Sequence, residues 1–480
     1  MPLWTCDWDK CRQPAVQRSG DCFSCDKHLC RTHLQDQWHK CPKPEVCEKT
    51  EMCNSSLADE LRKIGRTFPL KHTATAARRL NELCRRVDGS KLCARASFLR
   101  GGIPCTVDLS AEKLSSMMGG QNCHAEITFQ DGIKWLARLR LISTSSPPVE
   151  ARDYILRSEA ATLKFLQTHT RIPSPKLFDW ACETDPQNPL GGVSYILMEK
   201  IQGEPLNWQR ATSTQKEKVM QQLVDIFIEV EKHQFDKIGS MTPAKDAATF
   251  EIQGLADAAT FGTESGGPLG PFNSSAEAAR VIFETHLAMI ASGEIAAVYP
   301  ADIYLAHRFR LDILNKVGRE LFSEGKFFLK HPDDKGDHIL VNKDYDIVGI
   351  IDWEWCQTVP KEDAFSTPCM MWPVARFYGG SNELPEDEVR FADIFRERGR
   401  DDLAGYVMEG RQVQRFFFAS GAASGCERDH QTFVDLFMGL RRVFDSKDKR
   451  WEEWKTQALE KWKSDSLLQA LLQWEAPRLS

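Results

Sequence analysis

Residues 327–355 read FFLKHPDDKGDHILVNKDYDIVGIIDWEW, and this segment gives the strongest indication of the fold. Two short apolar runs, at 339–341 and 347–351, flank polar turn residues, which is the pattern of a β-hairpin. Asp333 precedes the hairpin and Asp352 follows it, so the hairpin would bring both carboxylates into one cleft. Phosphoryl transfer needs one carboxylate to orient the acceptor hydroxyl and another to hold Mg²⁺. The segment predicts the first role for Asp333 and the second for Asp352, although alone it also fits two loop aspartates beside an ordinary hairpin.

A second hairpin is predicted upstream, in residues 117–141, MMGGQNCHAEITFQDGIKWLARLRL. Apolar and polar residues alternate over 125–129 and lead to an Asp-Gly turn signal at 131–132. Gly119 and Gly120 stand just before this hairpin. Two glycines there would let backbone N–H groups approach phosphates, but an ordinary turn has the same sequence.

The order of charged residues after this hairpin adds to the interpretation. Arg138 lies on the second strand, and a helical stretch after Pro147-Pro148 carries Glu159. A strand cation paired with a helix carboxylate holds ATP phosphates in kinase-like folds, although Glu159 taken singly fits a solvated helix charge. Residues 193–206, VSYILMEKIQGEPL, fit either a hinge that meets adenine or an ordinary strand.

Residues 110–420 as a whole resemble the aminoglycoside phosphotransferase family, and most closely its large fungal group. The resemblance rests on His331-Pro332-Asp333, on the run GIIDWEW at 349–355, and on the upstream order of Asn122, Arg138 and Glu159. It implies an α+β, two-lobed protein-kinase-like fold with a β-rich N-lobe and a helical C-lobe. It also implies ATP and Mg²⁺ as cofactors, with Asp333 as catalytic base, Asp352 as metal ligand, Arg138 as phosphate contact and Glu159 as its helix partner. The acceptor stays unknown, because the fungal members generally do not act on antibiotics.

Two residues depart from the family pattern. His338 stands where the family has asparagine, and Arg138 replaces the usual strand lysine. Mg²⁺ prefers an octahedron of oxygen ligands, so imidazole is a poor replacement for the asparagine oxygen. Asp337 is a candidate to supply the missing oxygen ligand. Lys335 is a candidate to balance the added charge near the phosphoryl group. Two functions therefore stay open: an ATP-dependent phosphotransferase acting on a small molecule or protein, and an inactive kinase-like scaffold.

A different chemistry is predicted at the N-terminus, where eight of the 16 cysteines fall within the first 53 residues. Clustered thiols mixed with histidine suit zinc in a reducing compartment better than disulfides. Eight donors at metal-ligand spacing make two closed sites of four, and a module of this size needs the metal to fold. The candidate ligands are Cys6, Cys11, Cys22, Cys25, Cys30, His33, His39 and Cys41.

This spacing resembles the AN-1-type zinc finger. The family's interleaved arrangement implies one structural zinc on Cys6, Cys11, Cys30 and His33, and a second on the other four donors, with His28 outside the pattern. Closed sites do no chemistry, and relatives of the finger associate with protein partners, so a protein partner is expected here. The tryptophans at 4, 8 and 38 fit equally a partner-binding surface and the small core of the finger.

Composition limits the remaining classes. The chain has 480 residues, 42% hydrophobic and 27% charged, with a net charge of −6, which fits a multi-domain globular protein. No apolar run is long enough for a membrane helix, and no secretory signal precedes residue 11, which favours a cytoplasmic or nuclear location. The modest charge gives no general case for nucleic acid.

The predicted domain order follows from these segments. Residues 1–50 form the finger, 51–110 a basic helical linker, 111–203 the N-lobe, 204–420 the C-lobe and 421–480 a helical extension. The basic helix of the linker fits a solvated face or a surface for an acidic partner. The extension carries a tryptophan stripe that fits packing on the large lobe or binding a partner helix.

Overall fold

The computed structural model describes residues 4–17, 27–34, 71–143, 146–244, 249–257, 261, 267–295, 299–322, 325–418, 430–445 and 450–479. Within these ranges the chain forms a small β-rich lobe followed by a larger helical lobe, so the predicted α+β class with a β-rich N-lobe and a helical C-lobe is confirmed. No helix among the described residues is long and apolar enough to cross a membrane.

The small lobe is built around one antiparallel sheet of five strands in the order β1-β2-β3-β5-β4. Ala125, Ile127 and Phe129 are buried on one face of β2, as their alternation predicts, and the turn that follows has Gly132 at φ 84°. The elements of this lobe are α1 (Lys71–Arg86), α2 (Gly89–Leu99), β1 (Cys105–Val107), α3 (Ala111–Ser115), β2 (Asn122–Phe129), β3 (Lys134–Arg140), α4 (Val149–His169), β4 (Leu177–Ala181) and β5 (Tyr195–Glu199).

The two helices ahead of the sheet pack on it. Leu80 and Leu83 of α1, and Leu92 and Ala96 of α2, are buried in the same core as the strands. The described part of the predicted 51–110 linker therefore forms part of the small lobe rather than a free connection.

Four arginines of these helices and their ends are bound within the lobe. The ion pairs are Arg86 with Glu183, Arg95 with Asp179, and Arg100 with Asp131. Arg79 donates to the carbonyl of Gly120 and to the hydroxyl of Ser143. Arg79 and Arg86 of the predicted basic helix are thus bound inside the protein, whereas Arg85 is largely exposed.

The larger lobe is mainly helical, with several short strands. Its elements are β6 (Glu204–Pro205), α5 (Ser213–Glu231), β7 (Ser240–Pro243), β8 (Phe250–Gln253), α6 (Ser275–Ser292), α7 (Pro300–Leu321), β9 (Phe328–Lys330), β10 (Ile339–Val341), β11 (Ile347–Ile350), β12 (Gln357–Val359), α8 (Lys361–Ala364), α9 (Val374–Tyr378), α10 (Glu386–Glu397), α11 (Asp401–Glu409), α12 (Arg411–Phe417), α13 (His430–Phe444), α14 (Trp451–Lys461) and α15 (Ser466–Leu479).

The predicted hairpin of the segment 327–355 is present. Strands β10 and β11 pair antiparallel, and β6 joins the other edge of β10. A Cβ on Gly349 would lie 2.5 Å from the Ile201 side chain, so glycine lets the segment after β5 pass close to the hairpin. Two strand pairs were not expected in this lobe, β7 with β8 and β9 with β12.

The C-terminal helices pack on the large lobe. Trp451, Trp454, Ala458 and Trp462 are buried in one core with residues of α6 and α7. The tryptophan stripe therefore stabilises this lobe, which is the packing alternative of the two that the sequence left open.

Candidate active site and metal centre

A buried ion-pair cluster connects the sheet, a helix and the loop after β11. Arg138 on β3 donates through Nη1 to Glu159 on α4 and through Nη2 to Glu354. All three side chains are almost fully buried, with exposed fractions of 7% or less. The predicted pair of strand cation and helix carboxylate thus exists, and Glu159 is not a solvated helix charge.

Glu354 has further donors on the same sheet. Its carboxylate accepts from Arg140 Nη1 and, at 2.9 Å, from Asn122 Nδ2. Arg138 and Arg140 are two residues apart on β3, so they point to one face of the strand, and Asn122 is the register partner of Arg140. The sequence reasoning assigned no role to Glu354 or Arg140, although the period-two spacing of the arginines and of Asp352 and Glu354 is visible in the sequence.

The carboxylates of this cluster titrate differently. Desolvation raises the pKa of Glu159 to about 8, with Arg138 acting against it and Glu354 adding to it. Desolvation acts in the same direction on Glu354, but Arg138 and Arg140 outweigh it and hold the pKa of Glu354 below its usual value. Glu354 is therefore the firmly ionised partner of the arginines.

Asp352 is the member of the group that reaches the cleft. Its side chain is 51% exposed, and its Oδ1 lies 3.6 Å from Arg138 Nη2. The backbone at Asp352 is left-handed, with φ 63°, a conformation that costs a non-glycine residue free energy and often marks a functional position. Desolvation raises the pKa of Asp352, and the charge of Arg138 opposes that rise.

His331 connects the two aspartate loops. Its Nε2 donates to the carbonyl of Ile351, 2.9 Å away, and its Nδ1 accepts the N–H of Asp333 at 3.2 Å. These two bonds fix a neutral imidazole, and burial lowers the pKa of His331 accordingly. His331 thus positions Asp333 relative to the residue just before Asp352.

His338 is stacked on His331 and turned inward. The ring centroids are 4.2 Å apart, and the His338 side chain is buried. Its Nδ1 has no hydrogen-bond partner among the described residues. Desolvation, with His331 and Lys335 adding to it, lowers the pKa of His338 to about 2, so the imidazole is neutral.

Lys335 connects Asp333 to a cavity of the large lobe. Lys335 Nζ is 3.0 Å from Asp333 Oδ2, and both side chains are partly exposed. Lys335 and Asp337 also line a cavity of ≈ 370 Å³ whose other walls include Trp208 and Met370. The cavity therefore combines an apolar floor with one ammonium and one carboxylate group.

The two glycines form a turn whose polar groups are used internally. The N–H of Gly119 donates to the carbonyl of Asn122 at 2.8 Å, and the carbonyl of Gly120 accepts from Arg79. The connection between β1 and β2 also contains the short helix α3, so it is longer than a tight glycine hairpin. The Gly119 amide is thus not directed at a ligand here.

A group of four side chains that could hold a metal ion lies near the N-terminus. The ligand atoms of Cys6, Cys11, Cys30 and His33 all lie within 4.8 Å of one another. His33 Nδ1 is 3.4 Å from Cys6 Sγ and 3.3 Å from Cys30 Sγ, while the Cys11 and Cys30 sulfurs are 4.0 Å apart. A tetrahedral zinc site with Zn–S of about 2.3 Å and Zn–N of about 2.0 Å has edges of about 3.5 to 3.8 Å. The donors fit a metal ion of this kind.

The other expected metal ligands, Cys22, Cys25, His39 and Cys41, lie outside the described residues. His28 is described and stands apart from the metal cluster, as the spacing predicts. Its Nε2 lies 2.5 Å from the carbonyl oxygen of Val16, and its ring contacts Trp4 edge-on.

Comparisons with known proteins bear on the kinase-like part. No protein-family model matches the chain. Two subtelomeric hrmA-associated cluster proteins, from two strains of Aspergillus fumigatus, are each 30% identical over 130 residues, which is 27% of this chain. The chain spans about a quarter of the length of these curated relatives, 24% in each case.

Similar solved structures include small-molecule kinases and phosphotransferases. A Thermobifida fusca protein assigned as a fructosamine-3-kinase is 17% identical, covering 73% of this chain and 98% of its own, with a TM-score of 0.42. The Plasmodium vivax ethanolamine kinase is 12% identical, with coverages of 72% and 80% and a TM-score of 0.39. The aminoglycoside phosphotransferase APH(2'')-IIa, in its gentamicin complex, is 10% identical, with coverages of 69% and 99% and a TM-score of 0.42.

Proposed function

We propose that the chain is a phosphotransferase that uses ATP and Mg²⁺ to phosphorylate a hydroxyl group of a small molecule or protein. The observation that carries this proposal is the convergence of Asp333 and Asp352 on two loops held together by His331. The buried pair of Arg138 and Glu159 lies directly beside Asp352. This is the set of groups that phosphoryl transfer requires, because the reaction depends on positioning and charge stabilisation.

Each residue has a distinct role in this proposal. Asp333 accepts the proton of the acceptor hydroxyl, and Lys335, 3.0 Å from it, balances charge near the transferring group. Asp352 offers a half-exposed carboxylate, the hard oxygen donor that Mg²⁺ prefers, and Asp337 is the candidate for a further oxygen. Bound Mg²⁺ would neutralise the charge that develops on the phosphate oxygens. Arg138 holds Glu159 and Glu354, so its first task is to fix the helix and the loop.

The cavity beside Asp333 limits the class of acceptor. Its single ammonium, Lys335, is balanced by the single carboxylate of Asp337, and its floor includes Trp208 and Met370. A polycationic acceptor would need several carboxylates there. We therefore expect a neutral, partly apolar alcohol rather than a polyamine.

A second function is favoured by one observation, the inward-turned His338. A neutral imidazole with a buried, unpartnered Nδ1 replaces the family's oxygen donor, which suits a kinase-like scaffold that has lost catalysis. In that case the fold would serve binding alone.

Thermal unfolding with ATP, with and without Mg²⁺, separates the two functions. In an enzyme, Mg²⁺ should add to the stabilisation by ATP, and Asp352→Asn should abolish this increment, whereas Asp333→Asn should keep it and lose turnover. Asp344→Asn, an exposed carboxylate in the turn of the same hairpin, is the matched control and should behave as wild type. Nucleotide binding that does not depend on Mg²⁺, or an absence of nucleotide binding, would favour the scaffold.

For the N-terminal module we infer an AN-1-type finger with two structural zinc ions and a protein partner. The support is the close grouping of Cys6, Cys11, Cys30 and His33, which is the first of the two sites that the spacing implies. A reducing compartment, cytoplasm or nucleus, keeps such thiols available as ligands.

A further inference from the structure

The N-terminal metal module forms a hydrogen bond with the small lobe. The indole Nε1–H of Trp4 donates to the carbonyl of Ser146 at 3.0 Å. Ser146 lies in the segment that leads into α4, and α4 carries Glu159 of the buried ion-pair cluster. Trp4 therefore contacts the approach to the helix that positions Glu159.

The same module makes a second set of contacts with the large lobe. The N–H of Gln17 donates to the carbonyl of Glu294 at 2.7 Å. The Arg31 guanidinium lies over the ring of Trp474 on α15, 4.0 Å from its centroid, and Arg31 also donates to the carbonyl of Ile290 at 3.5 Å. A cation stacked on an aromatic face and a backbone hydrogen bond together define a specific docking geometry.

Gly293 allows Arg31 to approach. It ends α6 in the left-handed region, with φ 82°, and a Cβ there would lie 3.0 to 3.2 Å from atoms of Arg31. Gly399, just after α10, has a similar φ of 71° but open space around its Cβ position. The positive φ favours glycine at both positions. Only at Gly293 would a side chain also crowd Arg31.

The metal ligands join these two contact regions. Trp4 lies close in sequence to Cys6, and Arg31 directly follows Cys30, so one metal ion would hold both segments. Among the described residues of the module the apolar core is small, Cys6, Leu29 and Cys30 with a few partly buried neighbours, so metal binding would supply most of the folding free energy of the module.

We infer that the metal site of Cys6, Cys11, Cys30 and His33 works as an intramolecular clamp between the two lobes. Its docking surface is the end of α6 together with α15 on one side, and the approach to α4 on the other. Metal occupancy thereby stabilises the position of α4, and with it the pairing of Glu159 with Arg138. This surface of the module is occupied by its own chain.

Hydrogen exchange of the full chain, zinc-loaded or stripped of zinc under reducing conditions, tests the clamp. We expect stripping to speed exchange at the first turns of α4 and at residues 289–295, as well as within the module. Arg31→Ala, with zinc still bound, should speed exchange at 289–295 and around Trp474 on α15 by about 2- to 30-fold, the range for losing one cation–π contact. Trp4→Phe keeps an aromatic ring but loses the indole N–H donor. This variant should speed exchange only in the segment that leads into α4.

Two controls isolate the docking. Arg12→Ala changes an exposed arginine of the same module and should leave exchange in both lobes unchanged. Gly293→Ala and Gly399→Ala should each cost similar free energy, because both residues have a positive φ. Only Gly293 lies against Arg31, so only Gly293→Ala should reproduce the effect of Arg31→Ala on exchange in α15. If zinc removal alters exchange only within residues 4–34, or if Arg31→Ala behaves like Arg12→Ala, the clamp is refuted.

Discussion

Glu354→Gln should be among the most destabilising conservative substitutions in the chain. The change keeps the size of the side chain but removes the charge that faces Arg138 and Arg140. Glu354 is 2% exposed and accepts from both guanidinium groups and from Asn122. The amide nitrogen of glutamine would place its N–H donors against the N–H donors of Arg138 and Arg140. Among the described carboxylates, Glu159 alone would remain in hydrogen-bond contact with these arginines.

The expected magnitude follows from this geometry. Removing one partner of a buried ion pair typically costs about 3–5 kcal/mol, because the opposite charge stays buried without compensation. A charge-assisted hydrogen bond contributes about 1.5–3 kcal/mol, so two lost bonds to arginine give a similar figure. Native domains are stable by about 5–15 kcal/mol, so the loss would be a large fraction of the free energy of unfolding.

Urea unfolding at pH 7, followed by far-UV circular dichroism, measures this effect. Glu397→Gln is the matched control, because Glu397 pairs with Arg390 on an exposed helix face and should leave the midpoint unchanged. A loss below about 1 kcal/mol for Glu354→Gln would refute the view that this cluster holds the lobes together.

Four further outcomes are expected. The free energy of unfolding should fall as the pH drops below about 4.5. The pKa of Glu354 is lower in the folded than in the unfolded protein, so this carboxyl stabilises the folded state only at pH values where it is ionised in the unfolded chain. The pH dependence should be weaker in Glu354→Gln. Elemental analysis should find two zinc ions per chain, and Cys30→Ser should unfold the metal module. His338→Asn should keep or raise turnover, because it restores an oxygen donor. A truncated chain that begins before Lys71 should melt cooperatively, whereas one that begins at Thr106 should not, because α1 and α2 belong to the small-lobe core.

The sequence predicted those features that depend on short-range patterns. Alternation placed β2 and β3, the apolar runs around 345 placed β10 and β11, and helical spacing placed the buried tryptophans of α14. Metal-ligand spacing found the cluster around Cys30 because four donors near one ion need little more than the right loop lengths.

The remaining features depend on long-range contacts. Glu354 contacts Arg138, which lies more than 200 positions before it in the sequence. No local pattern predicts a contact over such a distance. The same holds for α1 and α2, whose basic residues suggested a solvated linker. Their apolar faces gain a partner only when the sheet forms, so the boundary at residue 110 had no local signal.

The charges around Asp352 bear on the choice between enzyme and scaffold. Arginine at 138 uses its two terminal nitrogens to hold Glu159 and Glu354 at once, which the single ammonium group of a lysine does less well. Glu354 and Asp352 then face the two guanidinium groups of Arg138 and Arg140, while the raised pKa of Glu159, about 8, keeps that carboxyl largely protonated at neutral pH. Asp352 is the half-exposed member at the cleft, so its carboxylate is the one that a divalent cation can reach. This arrangement favours the phosphotransferase over the scaffold.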